Sequence, residues 1–479
     1  MLYLIRLMEK GLMTSTKQEI IELLLSGTDE RTTLNDRGLS NYGIDFADES
    51  LTNRGSCTCN LITSKHVEYL YGRLNDLHSQ QDWINLVNEV QDGIKMEISG
   101  KVETNYEVFL GPSGTDVVYY PLLFSRERFP EKKILNIITC IEELGSGTVN
   151  AGQGKYFAGT NQFGNKIPKG GAIIDQDFVE TEYLSARCNK GTIKDPKDQL
   201  RELIQSNPDK SIIVSLVIGS KSGIEDNLLW IDELDADNVL WNVDMCQFRH
   251  TSELIERLTT KGVSVMITGS KFYQAPPFCG AILIPERWMK RIEHVDRLTH
   301  FNLFNQIFSK YDLPEVFRKK TSLPEEINKG GTLRWLVTLK SIYDLRSIGQ
   351  ENITNVINNW NKFVNNELSK YDEFILMPDQ AKTNPSIISF QVKGKKGRLN
   401  HNEMRELFFS MVESNHEGLP TERVFIGQPV AYGDKSFLRL AIGADNIVNI
   451  QNRGGDTFEI ERRIIAIIKE KLIEFENNR

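Results

Sequence analysis

Short apolar runs rich in Ile, Leu and Val alternate with amphipathic segments through the middle of the chain. Runs of this length and composition are typical of buried strands, and the amphipathic segments between most of them are typical of helices. The predicted strands are Val108–Leu110, Lys132–Thr139, Ser211–Ile218, Val239–Met245, Val263–Thr268 and Ala281–Ile284. This alternation predicts an α/β fold, a mostly parallel sheet with helices on both faces.

The pattern differs toward the N-terminus. Residues 14–26 predict an amphipathic helix that is capped at Ser15 or Thr16, and residues 64–92 also predict helix. The polar, Gly-rich stretch 28–60 predicts irregular structure. We expect residues 1–100 to form an N-terminal helical and irregular extension that contributes to a smaller domain and to the entrance of the site.

The pattern changes again after about residue 345. Here the predicted elements are helices at 349–370, 402–414 and 457–474 and strands at 386–392 and 436–442. Strands and helices in this order predict a smaller α+β domain over residues 346–479. The large α/β domain would then span 101–345, with a long irregular insertion at 145–196 lying over the sheet.

Composition narrows the class of protein. The chain has 479 residues, 40% hydrophobic residues and a formal net charge of −8, which suits a large core divided among domains. No long basic run is present, so we expect no nucleic-acid partner. No apolar run approaches the roughly 18 residues of a membrane span, and Arg6 interrupts the N-terminal apolar stretch, so we expect a cytoplasmic protein without membrane contact.

The six cysteines are scattered, and only Cys57 and Cys59 lie close together. No second Cys or His pair completes a zinc-binding pattern, and a chain this long and poor in Cys does not resemble a disulfide framework. We therefore predict neither a metal site nor structural disulfides.

In sheets of this kind, ligands bind where the parallel strands end. The first strand runs into Gly111-Pro-Ser-Gly-Thr-Asp116, a turn that opens a helix. Its backbone N–H groups and the hydroxyls of Ser113 and Thr115 could cradle a phosphate, although many ordinary turns share this composition.

Two charged residues follow later strands. Asp244 ends a buried strand, where a carboxylate needs a cationic partner unless it merely caps the next helix. Lys271 follows another strand, where an amine is tolerated if it is bound covalently, or if the side chain reaches solvent. The interval of 27 residues (271 minus 244) fits one helix plus one strand, so both groups can face one crevice.

Together these groups match the needs of pyridoxal phosphate: an anion site, a carboxylate for the pyridine nitrogen and an amine for a Schiff base. Their order resembles the fold-type I pyridoxal phosphate enzymes, and within them the class V aminotransferase and cysteine desulfurase group. The resemblance covers about residues 105–345, and more loosely extends to 445. It rests on IIVSLVIGSKSGIED, WNVDMCQFRH and VSVMITGSKFYQAPPFCGAILIP.

The resemblance implies a fold-type I architecture with a sheet of seven strands and a role for each matched residue. Lys271 would form the Schiff base and move the proton at the substrate Cα, while Asp244 and Gln247 would contact the pyridine nitrogen and the ring hydroxyl. The implied phosphate contacts are Gly114, Thr115, Thr268 and Ser270, with Ser220 near the cofactor O3′.

The resemblance also implies a homodimer with shared active sites, because Gly331 and Thr332 match a pair that the second subunit lends to the phosphate. Arg439 matches an arginine whose planar guanidinium would clamp the substrate α-carboxylate. Two positions depart from the group. Glu143 falls closest to the place where an aromatic or His ring stacks on the cofactor, and Ser270 stands where His is common before the lysine.

The cofactor acidifies the Cα proton, and the pocket determines which reaction the substrate undergoes. No cysteine follows Cys279, which disfavours a desulfurase that forms a persulfide in the usual way, although Cys57 could enter the site if the N-terminal segment crosses it. We predict an aminotransferase acting on an amino acid or keto acid. A β- or γ-lyase and a non-catalytic relative are the alternatives.

Overall fold

The computed structural model describes residues 16–58, 60–188, 192–249, 251–377, 385–414, 423–432 and 435–478. Cys59 and the N-terminal apolar stretch lie outside the described residues. The described strands are β1 (Leu51–Arg54), β2 (Tyr106–Gly111), β3 (Ile134–Thr139), β4 (Val179–Leu184), β5 (Ser211–Val217), β6 (Val239–Asp244), β7 (Ser264–Thr268), β8 (Gly280–Pro285), β9 (Phe374–Leu376), β10 (Ile387–Gly394), β11 (Gly397–Arg398), β12 (Arg423–Tyr432) and β13 (Lys435–Ala441).

Helices connect and cover these strands. The described α-helices are α1 (Lys17–Leu25), α2 (Ser64–Leu74), α3 (Gln80–Ser99), α4 (Tyr119–Arg128), α5 (Thr148–Gly152), α6 (Lys197–Gln205), α7 (Leu229–Leu234), α8 (Ser252–Thr260), α9 (Glu286–Lys290), α10 (Glu315–Arg318), α11 (Lys329–Ser347), α12 (Gln350–Leu368), α13 (His401–Glu413), α14 (Ala444–Asn452) and α15 (Glu459–Asn477). Within the described ranges, none of them is long and apolar enough to cross a bilayer.

The larger sheet has seven strands in the order β2-β8-β7-β6-β5-β3-β4. Its pairs are parallel except for those that involve β8, which runs antiparallel to β2 and to β7. Every residue of β3, β5, β7 and β8 is buried, because helices cover both faces of the sheet. The predicted sheet of seven mostly parallel strands flanked by helices is confirmed.

The register of this sheet brings several strand ends to one edge. Asp244 at the end of β6 pairs with Val217 at the end of β5 on one side and with Met266 in β7 on the other. Gly280, which begins β8, pairs with both Gly111 and Thr268. The ends of β2, β5, β6 and β7 therefore meet at the same edge, which is where the charged residues were expected.

The sequence predicted that the segment 145–196 is irregular, but the structure contains regular elements there. The segment contains α5 and strand β4, which pairs parallel to β3 at the edge of the larger sheet. The sequence of β4, VETEYL, buries only its first and last residues, so it lacks the apolar run that marked the other strands.

The second sheet has the order β1-β12-β13-β10-β11, with β9 paired to β10. Strand β1 lies in the stretch 28–60 that predicted irregular structure, and it pairs parallel to β12. A four-residue run, LTNR, is too short and too polar to reveal a strand by its pattern. The N-terminal segment therefore supplies an edge strand to the C-terminal sheet.

Helix boundaries follow capping residues. Thr16 caps α1 in a capping box with Glu19, which confirms one of the two predicted caps. The predicted helix over 64–92 is two helices instead, because Ser79 caps α3 in a second capping box with Asp82 and starts a new helix. Arg334 in α11 donates hydrogen bonds to the carbonyls of Leu24 and Phe278, which joins α1 to the loop after β7.

A buried ion pair fastens the N-terminal segment to the C-terminal helix, and it gives a stability test. Arg54 Nε lies 2.6 Å from Glu461 Oε1, and the two side chains are 8% and 1% exposed. Glu461→Gln leaves a buried guanidinium without its counter-charge, so we expect a loss of about 3 kcal/mol in the free energy of unfolding, measured by urea denaturation.

The matched control is Glu286→Gln in the exposed pair Glu286–Lys290, whose side chains are 55% and 63% exposed. That change should cost less than about 0.5 kcal/mol, because water screens the pair. Equal losses in the two variants would contradict this account of the N-terminal anchor.

Candidate active site

Three chain segments meet closely at the carboxyl edge of the larger sheet. Thr268 Oγ1 at the end of β7 donates to the carbonyl of Cys246, 2.7 Å away, in the turn after β6. Gly114, in the turn after β2, lies against both: a Cβ at this position would sit 2.7 Å from Thr268 Cγ2 and 3.0 Å from Cys246 Sγ. Glycine at 114 is therefore required by close packing of the turn.

The turn that was expected to bind phosphate keeps some of its polar groups for itself. Ser113 Oγ donates to Asp116 Oδ2 at 2.6 Å and accepts from the Thr115 and Asp116 N–H groups. Burial raises the pKa of Asp116 to about 7. The Gly114 backbone and the Thr115 side chain are what this turn can still offer to an anion.

Thr268 and Ser270 are both buried at the site edge. The single hydroxyl proton of Thr268 is directed to the Cys246 carbonyl, so this side chain has no proton left for a phosphate oxygen. The carbonyl of Ser270 accepts a hydrogen bond from Asn60 Nδ2, which fixes the residue directly before Lys271.

Lys271 lies in the loop between β7 and β8 and is partly buried. Its Nζ has no hydrogen-bond or ion-pair partner among the described residues. The loop itself is well held, because Gln274 N donates to the Lys271 carbonyl and Ala275 N donates to the Gly269 carbonyl. Ala444 N at the start of α14 also donates to the Phe272 carbonyl at 2.7 Å. A rigid loop thus presents an uncommitted amine.

Asp244 ends β6, two residues before Cys246. One of its carboxylate oxygens accepts from the Cys246 N–H at 2.8 Å. Burial raises the pKa of the Cys246 thiol well above its usual range, Asp244 raises it further, and Lys271 acts in the opposite direction. Both charged groups therefore lie within electrostatic range of the same thiol.

Gln247 is buried and its amide oxygen is occupied. Gln247 Oε1 accepts from Ser56 Oγ at 2.6 Å and from Arg249 Nε at 3.4 Å. Its amide N–H₂ group is thereby left as the donor that can face a ligand. Ser56 and Arg249 were not singled out from the sequence, since neither lies in a recognisable pattern.

The N-terminal segment crosses the site between β1 and α2. Ser56 Oγ donates to Gln247 Oε1 and accepts from Arg249 Nη2 at 2.5 Å, and Asn60 donates to the Ser270 carbonyl. Arg249 also donates to Ser386 Oγ and to the carbonyl of Ile442 at 3.2 Å, both in the smaller domain. The sequence analysis predicted that Cys57 could enter the site if the N-terminal segment crosses it. The contacts of Ser56 and Asn60 show that this segment does cross there.

Arg439 lies on β13 and is buried at the same site. Its Nη2 donates to the Gln428 carbonyl at 2.9 Å, while its buried Nε has no hydrogen-bond partner among the described residues. Burial lowers the pKa of Arg439, and the charges of Cys57 and Glu143 oppose that shift, so both groups lie within electrostatic range of the guanidinium.

Ser220 and Glu143 lie together at the ends of β5 and β3. Ser220 Oγ and Ser222 Oγ both hydrogen-bond to the Glu143 carboxylate. Arg187 Nε lies 2.9 Å from Glu143 Oε1, and both side chains are fully buried. Glu143, which falls closest to the expected ring-stacking position, is therefore held in an ion pair by a residue from the 145–196 segment.

Gly331 and Thr332 lie elsewhere, in the first turn of α11. Asn328 Oδ1 accepts from the Gly331 N–H at 2.7 Å, and Thr332 Oγ1 donates to the Asn328 carbonyl at 3.0 Å. The two residues line a cleft with Leu110 and Asn328, and Lys271 is not part of its lining. Within one chain, the structure does not bring this pair together with Lys271.

Comparison with known proteins gives structural but not sequence matches. No protein-family model matches the chain, and no curated protein matches it. A NifS-like protein from Rickettsia africae has a TM-score of 0.54 and 13% identity, over 86% of this chain and 97% of its own. The TDC of Oryza sativa, solved with PLP, has a TM-score of 0.52 and 13% identity, over 83% of this chain and 77% of its own.

A third match is the tryptophan decarboxylase of Catharanthus roseus in complex with L-tryptophan. It has a TM-score of 0.55 and 12% identity, over 90% of this chain and 84% of its own. Identities this low establish the fold alone. The chain has the fold-type I architecture that its sequence pattern resembles.

The packing of Gly114 gives a second stability test. Gly114→Ala would place a methyl group 2.7 Å from Thr268 Cγ2, so the turn must shift, and we expect a loss of about 1–3 kcal/mol in the free energy of unfolding. The control is Gly72→Ala in α2, where a Cβ meets nothing within 4 Å and alanine favours the helix. The measurement is urea denaturation of both variants. An unchanged free energy of unfolding in Gly114→Ala would contradict this account.

Proposed function

We propose that this chain is a pyridoxal phosphate-dependent enzyme that acts on the α-amino group of an amino acid, with transamination as its reaction. The observation that carries the proposal is Lys271, a partly buried lysine whose Nζ has no partner among the described residues, in the loop after β7, with Asp244 at the end of the neighbouring strand β6. The solved TDC with PLP, which shares this fold, supports the same cofactor.

The residues present fit the cofactor. The Gly114 turn, which packs too closely for any side chain, would receive the phosphate through its backbone, with Thr115 and Ser270 beside it. Asp244 would face the pyridine nitrogen, and Lys271 would hold the cofactor covalently. When bound, pyridoxal phosphate supplies the electron sink that makes the Cα proton acidic.

The protein groups then divide the remaining work. Lys271 Nζ would take the proton from the substrate Cα and return it at the end of the transfer. Arg439 Nε, buried without a partner, would bind the α-carboxylate. The N–H₂ group of Gln247 would donate to the ring hydroxyl, because its oxygen is already held by Ser56 and Arg249. Ser220 would stand near the same oxygen.

The proposal includes a homodimer with shared active sites. Gly331 and Thr332 would contribute to the phosphate site of the second subunit. Their place in a cleft whose lining does not include Lys271 supports this role.

A carbon–sulfur or other β- or γ-lyase is the second candidate. The observation that favours it is Cys57, which the N-terminal segment brings within electrostatic range of Arg439. As the bond from the substrate side-chain carbon to its leaving group breaks, the Cys57 thiol could donate its proton to that leaving group. The structural likeness to a NifS-like protein agrees with this alternative as well as with transamination.

Substitution of Lys271 tests the proposal. Lys271→Ala removes the amine that would hold the cofactor. We therefore expect loss of the visible absorbance band of the Schiff base between this lysine and the cofactor, and a fall in activity of at least about 10³-fold. The control is Lys261→Ala, which alters an exposed lysine paired with Asp232 and should keep both the absorbance band and the activity. A Lys271→Ala protein that kept the band would refute the assignment.

Screening amino acids one at a time separates the two reactions. If the reaction is transamination, the active amino acid should discharge the band and release its 2-oxo acid, with the amino group retained on the protein. Release of ammonia with pyruvate would instead establish elimination. The measurement is product analysis after a single turnover.

A further inference from the structure

Positive charge is concentrated around Lys271. Arg439 and Lys271 both lower the pKa of Lys221, and Arg439 also lowers that of Arg249, so Lys221 lies within electrostatic range of Arg439 and Lys271, and Arg249 lies within range of Arg439. They come from separate segments: Lys221 after β5, Arg249 after β6, Lys271 after β7 and Arg439 on β13. Like charges in a buried site repel, and this arrangement is costly unless an anion enters.

The carboxylates of the site offset only part of this charge. Glu143 is bound by Arg187 and by two serine hydroxyls. Asp244 accepts from the Cys246 N–H and is the group that we assign to the pyridine nitrogen. The positive charge of Lys221 and Arg439 is therefore left for a ligand.

Besides Lys271, two of the cations have free donor capacity. Arg249 does not, since its nitrogens hydrogen-bond to Ser56, Gln247, Ser386 and the Ile442 carbonyl. Lys221 Nζ has a single described partner, the Leu144 carbonyl, although an ammonium group has three protons to donate. Arg439 keeps its buried Nε without a partner.

Lys221 lies away from the proposed phosphate site, whereas the turn beside it, Ile141–Glu143, packs against β12, which pairs with β13 at Arg439. The Gly114 turn packs against the ends of β6 and β7. Lys221 follows β5, on the opposite side of β6, next to Glu143 at the end of β3. One anion at the turn cannot also satisfy Lys221, so a second anionic group is needed on that side.

We propose that the substrate is an amino acid with a second acid group on its side chain, whose α-carboxylate binds Arg439 and whose side-chain acid binds Lys221. This inference rests on the proposed function, because it places the substrate at the same site. Lys221 is then a substrate-binding residue that selects an acidic side chain over an apolar one, since a buried cation is unfavourable beside an apolar group.

The state of Lys221 agrees with this role. Burial, with Arg439 and Lys271 nearby, lowers the pKa of Lys221 to about 7, and Glu143 opposes the shift. A bound carboxylate would raise that pKa again. Acid binding should therefore weaken as the pH rises above about 7, by at most about tenfold per pH unit, because each complex must then take up a proton.

The test uses glutarate, a dicarboxylate, and butyrate, a monocarboxylate of similar length, titrated by calorimetry into the purified protein with its cofactor. We expect the wild-type protein to bind glutarate at least tenfold more tightly than butyrate. Lys221→Met should remove that preference and its pH dependence, while the affinity for butyrate changes less than about twofold. Lys221→Arg should keep the preference.

The control is Lys290→Met, which alters an exposed lysine 63% accessible to solvent and should leave both affinities unchanged. Equal binding of the two acids by the wild-type protein would overturn the inference, and so would a preference that survives in Lys221→Met. If Lys221→Met does not fold, the wild-type preference and the Lys221→Arg variant decide. The visible absorbance band of the wild-type protein distinguishes failure of this inference from failure of the proposed function. A band without a preference for glutarate would refute this inference alone. Absence of the band would refute the proposed function.

Discussion

Concentrated positive charge at the carboxyl edge of the larger sheet is the constraint on which the site depends. Lys221 lies within electrostatic range of Lys271 and Arg439, and Arg249 lies within range of Arg439, in a site where burial weakens screening by water. Such a cluster persists only if the fold supplies partners for some of its members and a ligand supplies the rest. Arg249 is satisfied by the protein, and the other three cations keep donor capacity toward the site.

The fold meets this constraint by bringing distant segments together. The N-terminal segment leaves the smaller sheet at β1 and crosses the site, where Ser56 meets Arg249 and Asn60 meets the Ser270 carbonyl. The loop that carries Lys271 is bound in turn to the start of α14 in the smaller domain. The larger sheet, the start of α14 and the N-terminal segment therefore fix the position of one amine, and a disturbance in any of them should reach the site.

Much of this could be read from the sequence. The apolar runs predicted the buried strands, because a strand covered on both faces must be apolar throughout, and the interval from Asp244 to Lys271 placed both at one edge. Strand β1 escaped prediction because its four residues are a short and polar run, and β4 escaped because only its first and last residues are buried. Arg187 and Arg249 escaped because their partners are far along the chain. Lys221 could have been found, since it follows a buried strand as Lys271 does.

The central claim is that Lys271 holds the cofactor, and Lys221 is the competing amine in the same site. The most direct measurement is borohydride reduction of the protein with pyridoxal phosphate, followed by peptide mapping by mass spectrometry. The account predicts the reduced pyridoxyl group on the peptide that contains Lys271. The same group on the peptide that contains Lys221, or on neither, would contradict it.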